Sequence, residues 1–185
     1  MTALRIPRLL PKRFRRDTRG AAALEFALIL PAMLAIYLGG VEVSSAVIVD
    51  QKVTHATSVL ADLVTQADGG ITNVEMSNIL DAVTTVIAPY PTNEFSIVVS
   101  GVQVDGDGVA SVAWSDARNA TALAVDAAVT LPAGLSQADT FLVVAEVTYA
   151  FRAGVGAIIV GTIELSDRFY LRPRYDTEIC RPTCA

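Results

Sequence analysis

The chain has 185 residues, 14 basic, 19 acidic, a single histidine and two cysteines, for a net charge of −5. That length accommodates one modest domain plus an anchor. No credible triad forms around the single histidine, no metal cluster is in view, and an acidic body argues against a nucleic-acid partner.

The charge is unevenly divided. Residues 1–20 carry seven Lys or Arg against Asp17, so the remainder holds seven basic and 18 acidic residues, a net of −11. After the basic stretch comes Gly20 and then an apolar run, AAALEFALILPAMLAIYLGGVEVSSAVIV, in which Glu25 is the only charge between Ala21 and Val41. Those 21 residues make a helix roughly 30 Å long, about the thickness of a bilayer core. The basic flank predicts a cytoplasmic N-terminus and an exported body. A carboxylate within a membrane segment is costly, and Glu25 sits near the helix start, where the dipole and unpaired N–H groups favour it. A secretory signal cut near Ser44, Ser45 and Ala46 would need Glu25 inside an unusually long apolar core.

The residues around Gly20 resemble a type IV prepilin signature and, within that broad family, the TadE/TadG-like proteins of tight-adherence (Flp) pili. Arg19, Gly20, Ala21, Ala23, Glu25, Phe26, Ala27 and then Leu30-Pro31 match the R-G-A-x-A-x-E-F-A string and the proline-containing apolar run after it. Arg168-Phe169-Tyr170-Leu171-Arg172-Pro173-Arg174 resembles the ending of the same proteins more weakly. The resemblance implies a structural minor pilin or pseudopilin with no enzymatic activity and no cofactor. It implies cleavage by a prepilin peptidase between Gly20 and Ala21. It also implies that Glu25, beside Phe26, pairs with the freed amino group of Ala21 or of a neighbouring subunit. The partners implied are that peptidase, other pilin or pseudopilin subunits, the inner-membrane assembly platform and membrane lipid. The location implied is the bacterial inner membrane, single-pass, with the C-terminal domain periplasmic or carried into a surface pilus.

The apolar helix has no clear stop at Val49. Val53, Ala56, Val59, Leu60, Leu63 and Val64 recur at helical spacing, so one helix is expected to run to about Gln66. Pro31 would bend it, and Gly39-Gly40 is a second soft point. Glu42 is expected at the far interface, and His55 has no partners that would make it a catalyst or ligand.

Ala67-Asp68-Gly69-Gly70 breaks the helix. Thr72 or Asn73 is expected to cap a second helix from about Val74 to Ala88, with Met76, Ile79, Leu80, Val83 and Ile87 on one face. Asn73 and Met76 make no capping box, and Pro89 and Pro91 end the helix. Phe95–Val104 and Val109–Ser115 alternate as strands around a hairpin turn at Asp105-Gly106-Asp107-Gly108. That turn lacks the further oxygens and late glutamate of a calcium loop. Residues 118–132 read equally as alanine-rich helix or loose strand. Thr140–Arg152 and Thr162–Leu171 are expected as antiparallel strands, joined by an apolar connection at 157–160 of undefined shape.

Arg168, Arg172 and Arg174 crowd an acidic body, and two readings stand: pairs within the subunit, or contacts with an acidic partner. Cys180 and Cys184 on the exported side can form a small local disulfide, with free or intermolecular thiols as the alternative. Zinc would need two more ligands, and a redox pair would want two intervening residues.

The expected fold is thus α+β: a basic leader at 1–20, a membrane helix at 21–49 continuing to about 66, and an exported domain at 67–185 with a second helix and an antiparallel sheet. The rival function is a single-pass inner-membrane protein with a periplasmic ligand-binding or sensing domain. A membrane-anchored hydrolase has no residue set behind it.

Overall fold

The computed structural model describes residues 20–132, 134–154, 161–175 and 177–181. Met1–Val41 and Glu42–Ala185 form two units. The leader before Gly20, the connection at 155–160 and Cys184 lie outside the described residues.

In the first unit the described chain is helical. Helix α1 runs over Ala21–Thr65 and continues through Pro31. Every described residue from Gly20 to Val41 is exposed. Leu24, Phe26, Leu28, Ile36 and Tyr37 are each more than half exposed and lie on all sides of the helix. A helix apolar all round and covered by nothing suits lipid or other helices rather than water.

The second unit begins with the rest of α1. Here one stripe is buried: Val49, Val53, Ala56, Leu60, Ala61 and Val64 are fully enclosed. Their spacing of three and four residues keeps them on one face. Helix α2, Asn73–Val86, lies after the glycine break and buries Met76, Leu80 and Val83. Its start selects one of the two expected caps. Thr72 is the cap, and a full capping box forms with Glu75, not with Met76. A box counted from Asn73 fails because it starts one residue too late. At the other end, Lys52 of α1 donates to the carbonyl oxygens of Val86 (3.2 Å) and Ala88 (2.7 Å). A cation thus meets the negative end of α2 and ties the two helices together.

Four strands follow: β1 Phe95–Val104, β2 Ala110–Arg118, β3 Thr140–Arg152 and β4 Thr162–Leu171. They form one antiparallel sheet in the order β2-β1-β3-β4. Inward residues of β1 and β3, including Phe95, Ile97, Val99, Val143, Ala145, Val147 and Tyr149, share one core with the buried stripes of both helices. From β4, Ile163, Leu165, Phe169 and Leu171 pack against the same core. The turn after β1 closes on itself, because Asp105 Oδ1 accepts from the N–H groups of Asp107 (3.0 Å) and Val109 (2.8 Å).

Arg118 ends β2, and residues 119–132 resolve the helix-or-strand alternative as neither. They form an irregular strap bonded to β2 through Val112 N–H to Ala127 O (3.0 Å), Asp126 N–H to Val112 O (2.8 Å) and Val129 N–H to Ala110 O (2.9 Å). The strap lays Val129 and Leu131 over Val102, Val104, Ala110 and Val144, a second small core on the outer face of the sheet.

Candidate functional site

The motif residues lie at the start of α1. Gly20 is in a short helical turn directly before it, and Ala21 is its first residue. A Cβ built on Gly20 would meet nothing within 4 Å. The fold itself therefore sets no steric demand for glycine at this position. Glu25 is the fifth residue of the helix, and Phe26 beside it is 58% exposed. α1 is the one helix among the described residues long and apolar enough to cross a membrane.

Residues 20–62 match the model of the family described as TadE-like protein. Over this stretch the chain is similar to TadE-like proteins. The match begins at Gly20, takes in Glu25 and Phe26, and ends within α1. No curated protein and no solved structure matches the chain. The TadE-like stretch thus contains every residue that carried the sequence resemblance except Arg19 and the C-terminal arginine segment, and it leaves the sheet outside.

The three arginines all have partners within the chain. Arg168 on β4 pairs with Glu146 on β3 at 2.5 Å, Arg172 donates to Gln137 Oε1 at 2.6 Å, and Arg174 pairs with Asp62 near the end of α1. Hydrogen bonding to Tyr170, followed by the bond and charge of Glu146, raises the Arg168 pKa further against the opposing effect of burial. Arg174 also donates its backbone N–H to Thr65 O at 3.0 Å, closing the end of α1. The two Arg174 contacts fasten the segment after β4 to the end of α1.

A neighbouring site has no counterpart in the sequence expectations. The chain near residue 180 returns to the domain. Ile179 is fully buried, Cys180 N–H donates to Gly69 O (2.9 Å), and Ile71 N–H donates to Cys180 O (3.1 Å). Trp114 sends its indole N–H to Ile179 O at 2.6 Å. Arg181 grips Asp116 with two bonds of 2.6 and 2.5 Å and also reaches Ile71 O. That ion pair is mostly shielded from water and bidentate, the geometry in which such pairs are strong. The signal available in the sequence was weak: a lone Ile and Arg beside a cysteine in a polar tail. No free cysteine occurs among the described residues.

Cavities occur among the described residues, and two of them include carboxylates. One of about 510 Å³ lies between the end of α1 and the start of α2 and includes Leu63, Asp68, Ile71, Glu75 and Ile79. Glu75 is occupied by the Thr72 cap, whose backbone and side-chain hydrogen bonds lower its pKa. The second, about 290 Å³, is lined by Tyr90, Glu94, Tyr149 and Arg152 among others. Tyr90 and Tyr149 meet edge to face at 6.4 Å, and burial, then the nearby Glu94, raises the Tyr149 pKa. Neither cavity contains a histidine or cysteine, and no metal-binding cluster occurs among the described residues. His55 is exposed on α1.

Proposed function

We propose that this TadE-like chain is a minor pilin or pseudopilin that takes part in assembling a tight-adherence pilus. The observation that carries the reading is the coincidence of the family match with the start of α1: both open at Gly20 and Ala21. A glycine with open space around it is a residue the fold does not need, which fits recognition by a prepilin peptidase. In this reading the leader stays cytoplasmic, cleavage frees the Ala21 amine, and residues 21–41 hold the protein in the inner membrane.

Assembly then transfers an apolar helix from lipid to the helices of other subunits. Its side chains stay away from water throughout, so polymerisation need not expose them. Glu25 is costly unpaired in that setting. Its pairing with an Ala21 amine on the same or a neighbouring subunit sets axial register, with Phe26 packing beside it. A kink at Pro31 adjusts that packing. The domain from residue 67 onward is periplasmic and contributes lateral contacts. A disulfide between Cys180 and Cys184 secures the tail beyond the Arg181–Asp116 pair.

The deciding experiment is the intact mass and N-terminal sequence of membrane-extracted protein from cells with and without the prepilin peptidase. A start at Ala21 that depends on the enzyme is expected, and Gly20→Ala should block it. An intact Met1 in both strains would remove the pilin reading and leave the anchored binding domain in its place.

A further inference from the structure

The two edges of the sheet are treated differently. The β2 edge is covered by the chain itself, through the strap at 126–129. Nothing among the described residues bridges to the outer edge of β4. An uncovered edge offers unpaired N–H and C=O groups to another strand.

Which groups those are follows from the alternation of an antiparallel sheet. Val112 N–H and Ala110 C=O bond to the strap, so the even-numbered residues at this end of β2 face away from β1 and Ser111 faces Gln103. Carried across the paired registers, the even residues of β3 face β1 and its odd residues face β4. On β4 the odd residues therefore face β3, and Thr162, Glu164, Ser166, Arg168 and Tyr170 present their backbone to the open side. A local bond agrees: Arg168 N–H, with no strand to meet it, is taken by the Asp167 carboxylate at 2.8 Å.

The side chains of these five residues lie on the outer face, and their order is self-complementary. In a two-fold antiparallel pairing of β4 with β4 of another copy, centred on Ser166, Glu164 stands opposite Arg168 of the second copy, and Arg168 opposite its Glu164. Thr162 stands opposite Tyr170. Centring on Glu164 or on Arg168 would instead bring like charges together, and centring on Asp167 would bring two aspartates together on the inner face. The pairing also continues rows already present. Arg168 is held by Glu146 on its β3 side, so the added Glu164 completes a Glu–Arg–Glu row across the joined sheets. Thr148 donates to Ser166 at 3.1 Å, and the two central serines extend that hydroxyl ladder through the axis. Glu164 forms no ion pair among the described residues.

We infer that the β4 edge is an interaction surface for a second copy of this chain, joining two four-stranded sheets into one of eight through antiparallel β4–β4 pairing centred on Ser166. The interface is isologous, so each contact occurs twice. It lies wholly in the second unit and stands whether or not the leader is cut after Gly20.

The test uses full-length protein in detergent, with oligomeric state followed by sedimentation over a dilution series. The wild type should dimerise. Glu164→Arg and Arg168→Glu should each lower self-association by about tenfold or more. Mixed together they should recover it, because one variant then carries arginine at both positions 164 and 168 and the other carries glutamate at both. Ser166→Pro removes an outward donor at an edge position that tolerates proline, and it should abolish dimerisation while the thermal unfolding of the domain stays near wild type. Ser166→Cys should cross-link through a short bismaleimide, whereas Val109→Cys, at an exposed position away from β4, should not. A wild type monomeric at every concentration, a mixture no more associated than its components, or an unchanged dimer in folded Ser166→Pro would overturn the inference. Failure of Ala21 processing with the dimer intact would count against the pilin reading alone.

Discussion

Helix α1 contains two regions of different composition and opposite surroundings. Between Ala21 and Val41 every residue is exposed, whereas from Val49 to Thr65 one stripe is fully enclosed by α2 and the sheet. Composition and its distribution both separate them: Glu25 is the only charge from Ala21 to Val41, whereas Asp50, Lys52 and Asp62 fall between Val49 and Thr65, so the first is apolar on all sides and the second on one. The family match spans both regions, which means that the TadE-like signature includes part of the domain core and not only the exposed apolar region.

The largest expected effect comes from making the same change in both regions. Leu60→Ala, in the enclosed stripe, should lower the stability of the domain by about 2–5 kcal/mol. Leu28→Ala, in the exposed region, should leave it within about 0.5 kcal/mol of wild type. Denaturant unfolding of detergent-solubilised protein, followed by Trp114 fluorescence, makes the comparison. Equal losses at the two sites would mean that the upstream helix is also part of the folding unit.

Gly101 on β1 sharpens the picture of the core from the sheet side. A Cβ there would lie 2.5 Å from Phe141 Cζ and from Trp114 Cε2. Gly101→Ala should cost about 1–3 kcal/mol through overpacking and should shift the Trp114 emission. Next comes the returning tail. Arg181→Gln removes the grip on Asp116 and should cost about 1–2 kcal/mol, read as a lower midpoint and as earlier proteolysis near residue 180 in limited digestion.

The smallest effect is at the α2 cap. Bonds to Thr72 favour the ionised form of Glu75 in the folded state, so its pKa is lowered there relative to the unfolded chain. The cap's contribution is thus present above the ordinary glutamate pKa and is lost as pH falls through the depressed folded value. Glu75→Gln should flatten stability against pH from about pH 5 downward, with little change at pH 7. An identical acid limb in wild type and variant would remove Glu75 from the linkage.

Much of this architecture was legible in local pattern. The period of Val53, Ala56, Leu60 and Val64 predicts a helix past the membrane segment, and α1 ends at Thr65. The alternation over Thr140–Arg152 and Thr162–Leu171 matches β3 and β4 in full. Such patterns are readable because each element must turn one face to a core, and the spacing of its apolar residues records which face.

Other features depend on long-range contacts that no local period encodes. The strap at 119–132 has neither a helical nor a strand period because its backbone bonds go to β2 and its apolar residues fill a small second core. Ile179 and Arg181 gain their meaning only where the tail meets Trp114, Asp116 and the loop at Gly69–Ile71. Arg168, Arg172 and Arg174 could be counted in the sequence, but their partners Glu146, Gln137 and Asp62 are between 22 and 112 residues away. By itself the sequence determined the apolar N-terminal helix, the motif at Gly20–Phe26 and the order of helices and strands, because these rest on neighbouring residues and their periodicity. Tertiary structure alone decided the sheet order, the closed β2 edge and the open β4 edge, because an edge exists only once distant strands have paired.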